Sequence, residues 1–295
     1  MLEVENILLC CSQKSGLNKD DYEDAFTPLS SVDKHNKKIK IAIADGATES
    51  SFSKEWANIL IEKYSSSNFE ITSNKFFEEA FKDWESYVNQ KDLSWFATEK
   101  LNNGAFAAFL GLNIDLESNN YKVEAIGDCC LFLIRNNQIA MTFPLSNFED
   151  FTSNPTLLST KDIGSLSNFK NKSDKLLPGD MLVMASDALS AFILKEKSSS
   201  PWKFFVQLVS ENLKRREKDK LFNNWKNLKK EWANIDHDNE MDKFVNLVFQ
   251  KPAENNEMED WSFKNWIFKN WLEQQRNNGA IKNDDTTLYL IKIKD

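Results

Sequence analysis

Apolar residues change their spacing several times along this chain, and each change predicts an element. Leu2 to Cys11 is a long apolar-rich run, and Ile39 to Ala44 (IKIAIA) alternates less than a surface strand would. Both predict strands, the second covered on both faces. Asp24 to Leu29 predicts a short strand, and the polar segment SVDKHNKK a loop that leaves His35 in solvent. Helical spacing follows. Phe52, Trp56, Ile59, Leu60 and Tyr64 share one face, with Ser50 and Ser51 as caps and a Ser-rich stop at Ser65 to Ser67. Phe76, Phe77, Ala80, Phe81, Trp84 and Val88 mark a second helix over Asn74 to Asn89, and Leu93 to Leu101 predicts a short third.

The period then returns to two or to continuous apolar runs. Gly104 to Ile114, Tyr121 to Ile126, Leu131 to Arg135 and Ile139 to Phe143 predict successive antiparallel strands, with Asn119-Asn120 and Asn136-Asn137 as turns. Pro144 to Leu177 is rich in Ser and Asn and predicts an irregular surface excursion. Met181 to Ala185 and Leu288 to Ile293 are the last strands. Between them Pro201 to Asn278 has a helical pattern and holds six of the nine tryptophans, broken by a loop at Pro252 and Glu254 to Asp260. Its stripes are Phe204, Leu208 and Val209; Leu221, Trp225, Leu228 and Trp232; and Phe263, Ile267 and Trp271, all expected in core. Strands grouped apart from helices predict α+β layers and disfavour a parallel doubly wound sheet.

The chain has 295 residues, 41% hydrophobic, with 22 Phe and 9 Trp, enough to bury a large core. No apolar run reaches the roughly 18 residues of a membrane span, and the N-terminus lacks a basic region before its apolar stretch, so it reads as a strand rather than a signal peptide. A net charge of −8 disfavours nucleic-acid binding. Two histidines, His35 and His237, exclude histidine triads and multi-His zinc sites. Cys10-Cys11 and Cys129-Cys130 lack CxxC spacing and lie in apolar runs, so they are expected as buried thiols of a cytoplasmic protein. Any catalysis must therefore rest on carboxylates.

Carboxylates stand where strands begin or end: Glu23-Asp24 (YEDAF), Asp45 (IAIADGA), Asp128 (AIGDCC), Asp187 (MLVMASDAL) and Asp284-Asp285 (NDDTTLYLI). One such Asp is ordinarily a turn or a helix cap. Buried unpaired carboxylates cost several kcal/mol, so five such sites with no histidine between them point to a hard, oxygen-liganded cation.

In order and type, YEDAF, ADGATES, GDCCLFLI, LPGDMLVMASDAL and NDDTTLYL resemble the motif series of the PP2C-type metal-dependent protein phosphatases, spanning Lys19 to Ile293. Gly46, Gly104, Gly127 and Gly179 fall where that family places glycine. The resemblance implies one domain with a four-layer α-β-β-α sandwich of two antiparallel sheets flanked by helices. It would carry a flap-like excursion at 145–178 and a Trp-rich helical insertion at 201–278 before the last strand. It implies two Mn²⁺ or Mg²⁺ ions and a weaker third. Asp45 would bridge the pair, the Gly46 carbonyl would bind one ion, Asp187 and Asp284 would hold the first, Glu23 with Asp24 nearby would serve the second, and Asp128 the third. The implied reaction is attack of a metal-bridging water on phosphoserine or phosphothreonine in a protein, with a cognate Ser/Thr kinase as counterpart.

Several positions depart from the family pattern. Lys19 stands where an arginine binds the substrate phosphate, keeping the charge without the bidentate fork. Ala47, Thr48 and Glu49 follow the Asp-Gly pair, so a histidine acid is absent there. Ala188 replaces the glycine of the SDG motif, and Ala191 stands where a third-metal ligand is expected. These departures, the Trp-rich block and the basic stretch Lys214 to Lys230 leave a second class open: a non-catalytic phosphoprotein-binding or scaffold module.

Overall fold

The structure, a computed structural model, describes residues 1–48, 50–91, 101–209 and 255–295, the side chains of residues 19 and 255–260 excepted. The helix expected at Leu93 to Leu101 lies almost wholly outside these residues, as do the stripe from Leu221 to Trp232, the basic stretch, His237 and Glu49.

Two antiparallel sheets form the centre. The first runs β1 (Val4–Ser12), β11 (Thr286–Ile293), β10 (Met181–Ala185), β6 (Cys130–Arg135), β7 (Gln138–Phe143). The second runs β2 (Asp24–Phe26), β3 (Lys38–Gly46), β4 (Phe106–Asp115), β5 (Asn120–Ile126), β9 (Lys170–Lys175), with β8 (Leu158–Ser159) beside β4. Every strand pairing among the described residues is antiparallel. The turns are made as expected from asparagine: Asn119, Asn136 and Asn137 all take positive φ.

The apolar alternation of each strand decides its two contacts. From β11, Tyr289, Ile291 and Ile293 enter the layer between the sheets, where they meet Ile41, Leu110, Leu112 and Val123. Leu288 and Leu290 point the other way, into α3 (Asp187–Lys195), α4 (Trp202–Val209) and α5 (Asn255–Asn277) through Leu189, Phe205, Phe268 and Leu272. On the far side Trp56, Leu60 and Tyr64 of α1 (Ser53–Ser66) and Phe77, Ala80 and Trp84 of α2 (Asn74–Asn89) cover Ala42, Ala44, Ala107 and Phe109. Small residues on that sheet face let the aromatic helices approach closely. Each fully buried Leu, Ile or Phe contributes about 1.5–3 kcal/mol. The result is the four-layer α-β-β-α sandwich expected from the motif series.

Four local expectations are corrected. The cap of α1 is not Ser50 or Ser51 but Phe52, in the left-handed region at φ 60°, while Ser50 Oγ instead donates to the Ala47 carbonyl and accepts from the Phe106 amide. Asn255 to Asp260 belongs to α5 and is not a loop. The buried stripe of α5 is Trp261, Phe263, Asn265, Phe268 and Leu272, with Ile267 and Trp271 only partly covered. Trp261 Nε1 donates to the Leu9 carbonyl (2.8 Å) and Asn265 Oδ1 accepts from the Cys11 amide (2.9 Å). The helix thus closes the free edge of β1. The excursion after Pro144 is not wholly irregular, since β8 and β9 lie within it; β9 is exposed along its whole length, so its residues lack the apolar period that announces a strand.

Candidate metal centre

Strand pairing brings distant carboxylates to one end of the sandwich. Asp24 lies directly opposite Asp45 in the β2–β3 ladder. Gly46 follows at the end of β3, and its amide donates to the Glu23 carbonyl (3.3 Å). A Cβ at Gly46 would stand 2.8 Å from Ser53 backbone atoms, so only glycine lets the start of α1 press on this strand end. Asp128 is presented by Gly127, whose φ of +94° and closeness to Ala108 again demand glycine. Asp187 opens α3 directly after β10, and Asp284 precedes β11. Those two ends are locked together, because Ser186 N donates to the Thr287 carbonyl (3.1 Å) and Ser186 Oγ accepts from the Thr287 amide (2.9 Å).

The carboxylates perturb one another, which follows from their shared, half-dry location. Burial, then repulsion from Asp24, Asp187, Asp128 and Asp284, pushes the Asp45 carboxyl well above the ordinary range. Burial and the nearby Asp285 do the same to Asp24. Asp187 is pushed up to about 7 by burial, Asp128 and Asp284. Burial raises Asp128 and Glu23. Asp284 runs the other way: burial works against its charge, but hydrogen bonds from the Lys282 and Lys14 ammonium groups outweigh it and hold its carboxyl below the ordinary value.

Asp24 is buried, and its Oδ2 accepts from the Thr287 hydroxyl (2.6 Å). Its Oδ1 has no hydrogen-bond partner among the described residues. A buried carboxylate oxygen left bare among raised carboxyls is the arrangement a hard divalent ion relieves. With the Gly46 carbonyl, the donors are all oxygen, so the set suits Mg²⁺ or Mn²⁺ over softer metals. Among the described residues, no three His, Cys, Asp or Glu side chains form a ready-made metal site. Two ammonium groups stand among them: Lys14 Nζ lies 2.9 Å from Asp284 Oδ1, and Lys282 Nζ 2.5 Å from Asp284 Oδ2. The Lys19 side chain lies outside the described residues; its backbone forms a short 3₁₀ turn, Lys19–Asp21, before the Glu23-Asp24 pair.

Three groups support the site in roles that the sequence did not assign. Asp285 accepts the amides of Lys14 (2.8 Å) and Glu23 (2.7 Å). Thr48 Oγ1 donates to Glu23 Oε2 (2.6 Å). Arg276, from α5, donates to the carbonyls of Asp284 (2.5 Å) and Gln13 (3.1 Å), tying the ends of β1 and α5 to the site. The acidic doublet at Asp284-Asp285 was the one visible signal; Thr48 and Arg276 carried none.

No family model matches the sequence, and no curated protein matches it. Solved structures do match. A bacterial serine phosphatase aligns over 99% of each chain at 12% identity and a TM-score of 0.50. The catalytic domain of the serine/threonine protein phosphatase PstP, in complex with two manganese ions, aligns over 100% of each chain at 12% identity and a TM-score of 0.50. At such identity the likeness is one of fold. The chain has the fold of the PP2C-type metal-dependent protein phosphatases.

Proposed function

We propose that this protein is a metal-dependent phosphatase that hydrolyses phosphoserine and phosphothreonine in proteins. What supports the reading is Asp24 standing opposite Asp45 in the β2–β3 ladder, with Asp128, Asp187 and Asp284 near enough to repel the Asp45 carboxylate, at one end of a PP2C-type sandwich. Asp45, with the Gly46 carbonyl beside it, would contribute to holding a pair of Mn²⁺ or Mg²⁺ ions, together with Asp187 and Asp284 on one side and Glu23 and Asp24 on the other, and Asp128 would serve a weaker third. Such ions, when bound, activate water near neutral pH and draw charge from phosphoryl oxygens.

The chain's own groups do the rest. Ser186 and Asp285 fix the backbone from which the ligands project, and Thr48 orients Glu23. Lys19 is proposed as the phosphate-binding residue, a point charge in place of a fork. The 145–178 excursion is proposed to select substrate, supported by a cleft of about 300 Å³ between it and Asp128, lined also by Pro144, Asn154 and Lys170. A Ser/Thr kinase that makes the substrate and a cytoplasmic location complete the reading. The four cysteines, buried and in no disulfide, suit a reducing compartment, and no helix among the described residues is long and apolar enough to cross a membrane.

The test is hydrolysis of p-nitrophenyl phosphate with Mn²⁺. Asp45→Asn and Asp187→Asn, which remove charge without changing shape, are expected to lower kcat/KM at least about a hundredfold. Three proteins that behave alike would overturn the assignment. The lysines on Asp284 favour a second reading, a phosphoprotein-binding module without catalysis. Calorimetric titration separates the two: the module binds a phosphopeptide and no Mn²⁺.

A further inference from the structure

Asp284 is unusual within the centre, because both of its carboxylate oxygens already carry a cation from the chain. Lys14 Nζ lies 2.9 Å from Oδ1 and reaches on to Glu23 Oε2 at 3.8 Å, while Thr48 Oγ1 accepts from it at 3.0 Å. Lys282 Nζ lies 2.5 Å from Oδ2 and 3.8 Å from Asp187 Oδ2. Each lysine therefore spans two of the carboxylates assigned to the metals. Lys14 is held there by more than its charge. Its backbone amide is fixed by Asp285, and its side chain is only 18% exposed, against 69% for Lys282. A divalent ion arriving at Asp284 meets an ammonium already seated on each of these oxygens, so the two cations compete for the same carboxylate charge.

We propose that Lys14, seconded by Lys282, is an internal counter-ion that competes with the divalent cation for Asp284 and so sets the cation concentration at which the centre fills. This rests on the metal-centre reading above. Lys14 dominates because it is the more enclosed of the two; solvent screens the charge of Lys282. The lysines are positioning groups that act through Asp284.

Mn²⁺ binding by the full chain, followed by loss of the free-ion EPR signal and by calorimetry, tests this without any substrate. Lys14→Met is expected to bind Mn²⁺ about tenfold more tightly than wild type, since it removes a like charge beside the ion. Lys282→Met should give a smaller gain in the same direction, and Lys14→Arg should keep wild-type affinity. Lys14→Gln, with folding checked by circular dichroism, guards against a misfolded Met variant. Equal or weaker Mn²⁺ affinity in both Lys14→Met and Lys14→Gln would overturn the counter-ion role while leaving the metal centre standing. No Mn²⁺ binding by wild type or any variant would overturn both.

Discussion

Asp285 bonds the chain on both sides of the loop between β1 and β2, through the amides of Lys14 and Glu23. Two backbone donors to one buried carboxylate are worth more than neutral hydrogen bonds, so Asp285→Ala should cost about 2–3 kcal/mol in a urea unfolding experiment. It should also weaken Mn²⁺ binding, because Glu23 loses its anchor. The perturbed carboxyls give a pH prediction. Asp24, Asp45 and Asp187 bind protons more tightly in the folded state than in the unfolded one. Between the ordinary aspartate value and the value of about 7 for Asp187, the folded protein therefore holds more protons, and stability falls as pH rises. Asp284, lowered, contributes the opposite slope, but only in the acid range below the ordinary value. Without divalent ions, the melting temperature should drop by several degrees from pH 5 to pH 8, and excess Mn²⁺ should flatten that slope. A melting temperature that climbs with pH in chelated buffer would contradict it. The carboxylates themselves were legible because an Asp after a buried strand is conspicuous. Lys14 and Arg276 were not, since a lone basic residue reads as surface until its partners are known.

Elements meet at Gly46, where the end of β3 touches the start of α1. Gly46→Ala places a Cβ 2.8 Å from the Ser53 carbonyl group, which is backbone and cannot rotate away. The helix must shift, at a cost of about 1–3 kcal/mol measurable by denaturant titration. The shift also moves the strand end that carries Asp45, so Mn²⁺ affinity should fall with stability. Most strands and the first two helices were readable because most strands are covered on both faces and the aromatic stripes keep helical spacing. What was not readable has physical causes. β9 is solvated on both faces, so no burial pattern marks it. The stripe of α5 runs through Asn265 because that helix hydrogen-bonds a strand edge as well as packing on a sheet, and a polar residue on a buried face hides the period. Phe52 takes the cap position of α1 in a left-handed conformation that no propensity favours.

At the scale of the whole molecule, the sandwich supplies rigidity and the acidic end supplies strain. Sheets packed through Leu9, Tyr289, Ile291, Leu110 and Leu112 hold carboxylates together that repel one another. A cation that binds only the folded state then stabilises it by mass action, about 2.7 kcal/mol at a concentration one hundred times Kd. Mn²⁺ should accordingly raise the melting temperature in a concentration-dependent way, and Asp45→Asn should remove that rise. The layer order was legible from the grouping of strands and helices along the chain. The closing of the site was not, because it depends on which residues of β2 and β3 stand opposite each other and on β10 meeting β11, whose paired residues are more than a hundred positions apart.

The central claim is that the carboxylates of Asp45, Asp187 and Asp284 share bound divalent ions. Anomalous diffraction from crystals grown with Mn²⁺ tests it most directly. The expected result is manganese peaks within bonding distance of Asp45 and of both Asp187 and Asp284, with Lys14 Nζ withdrawn from Asp284. Well-ordered crystals with no manganese at these carboxylates, and both lysines still seated on Asp284, would contradict it.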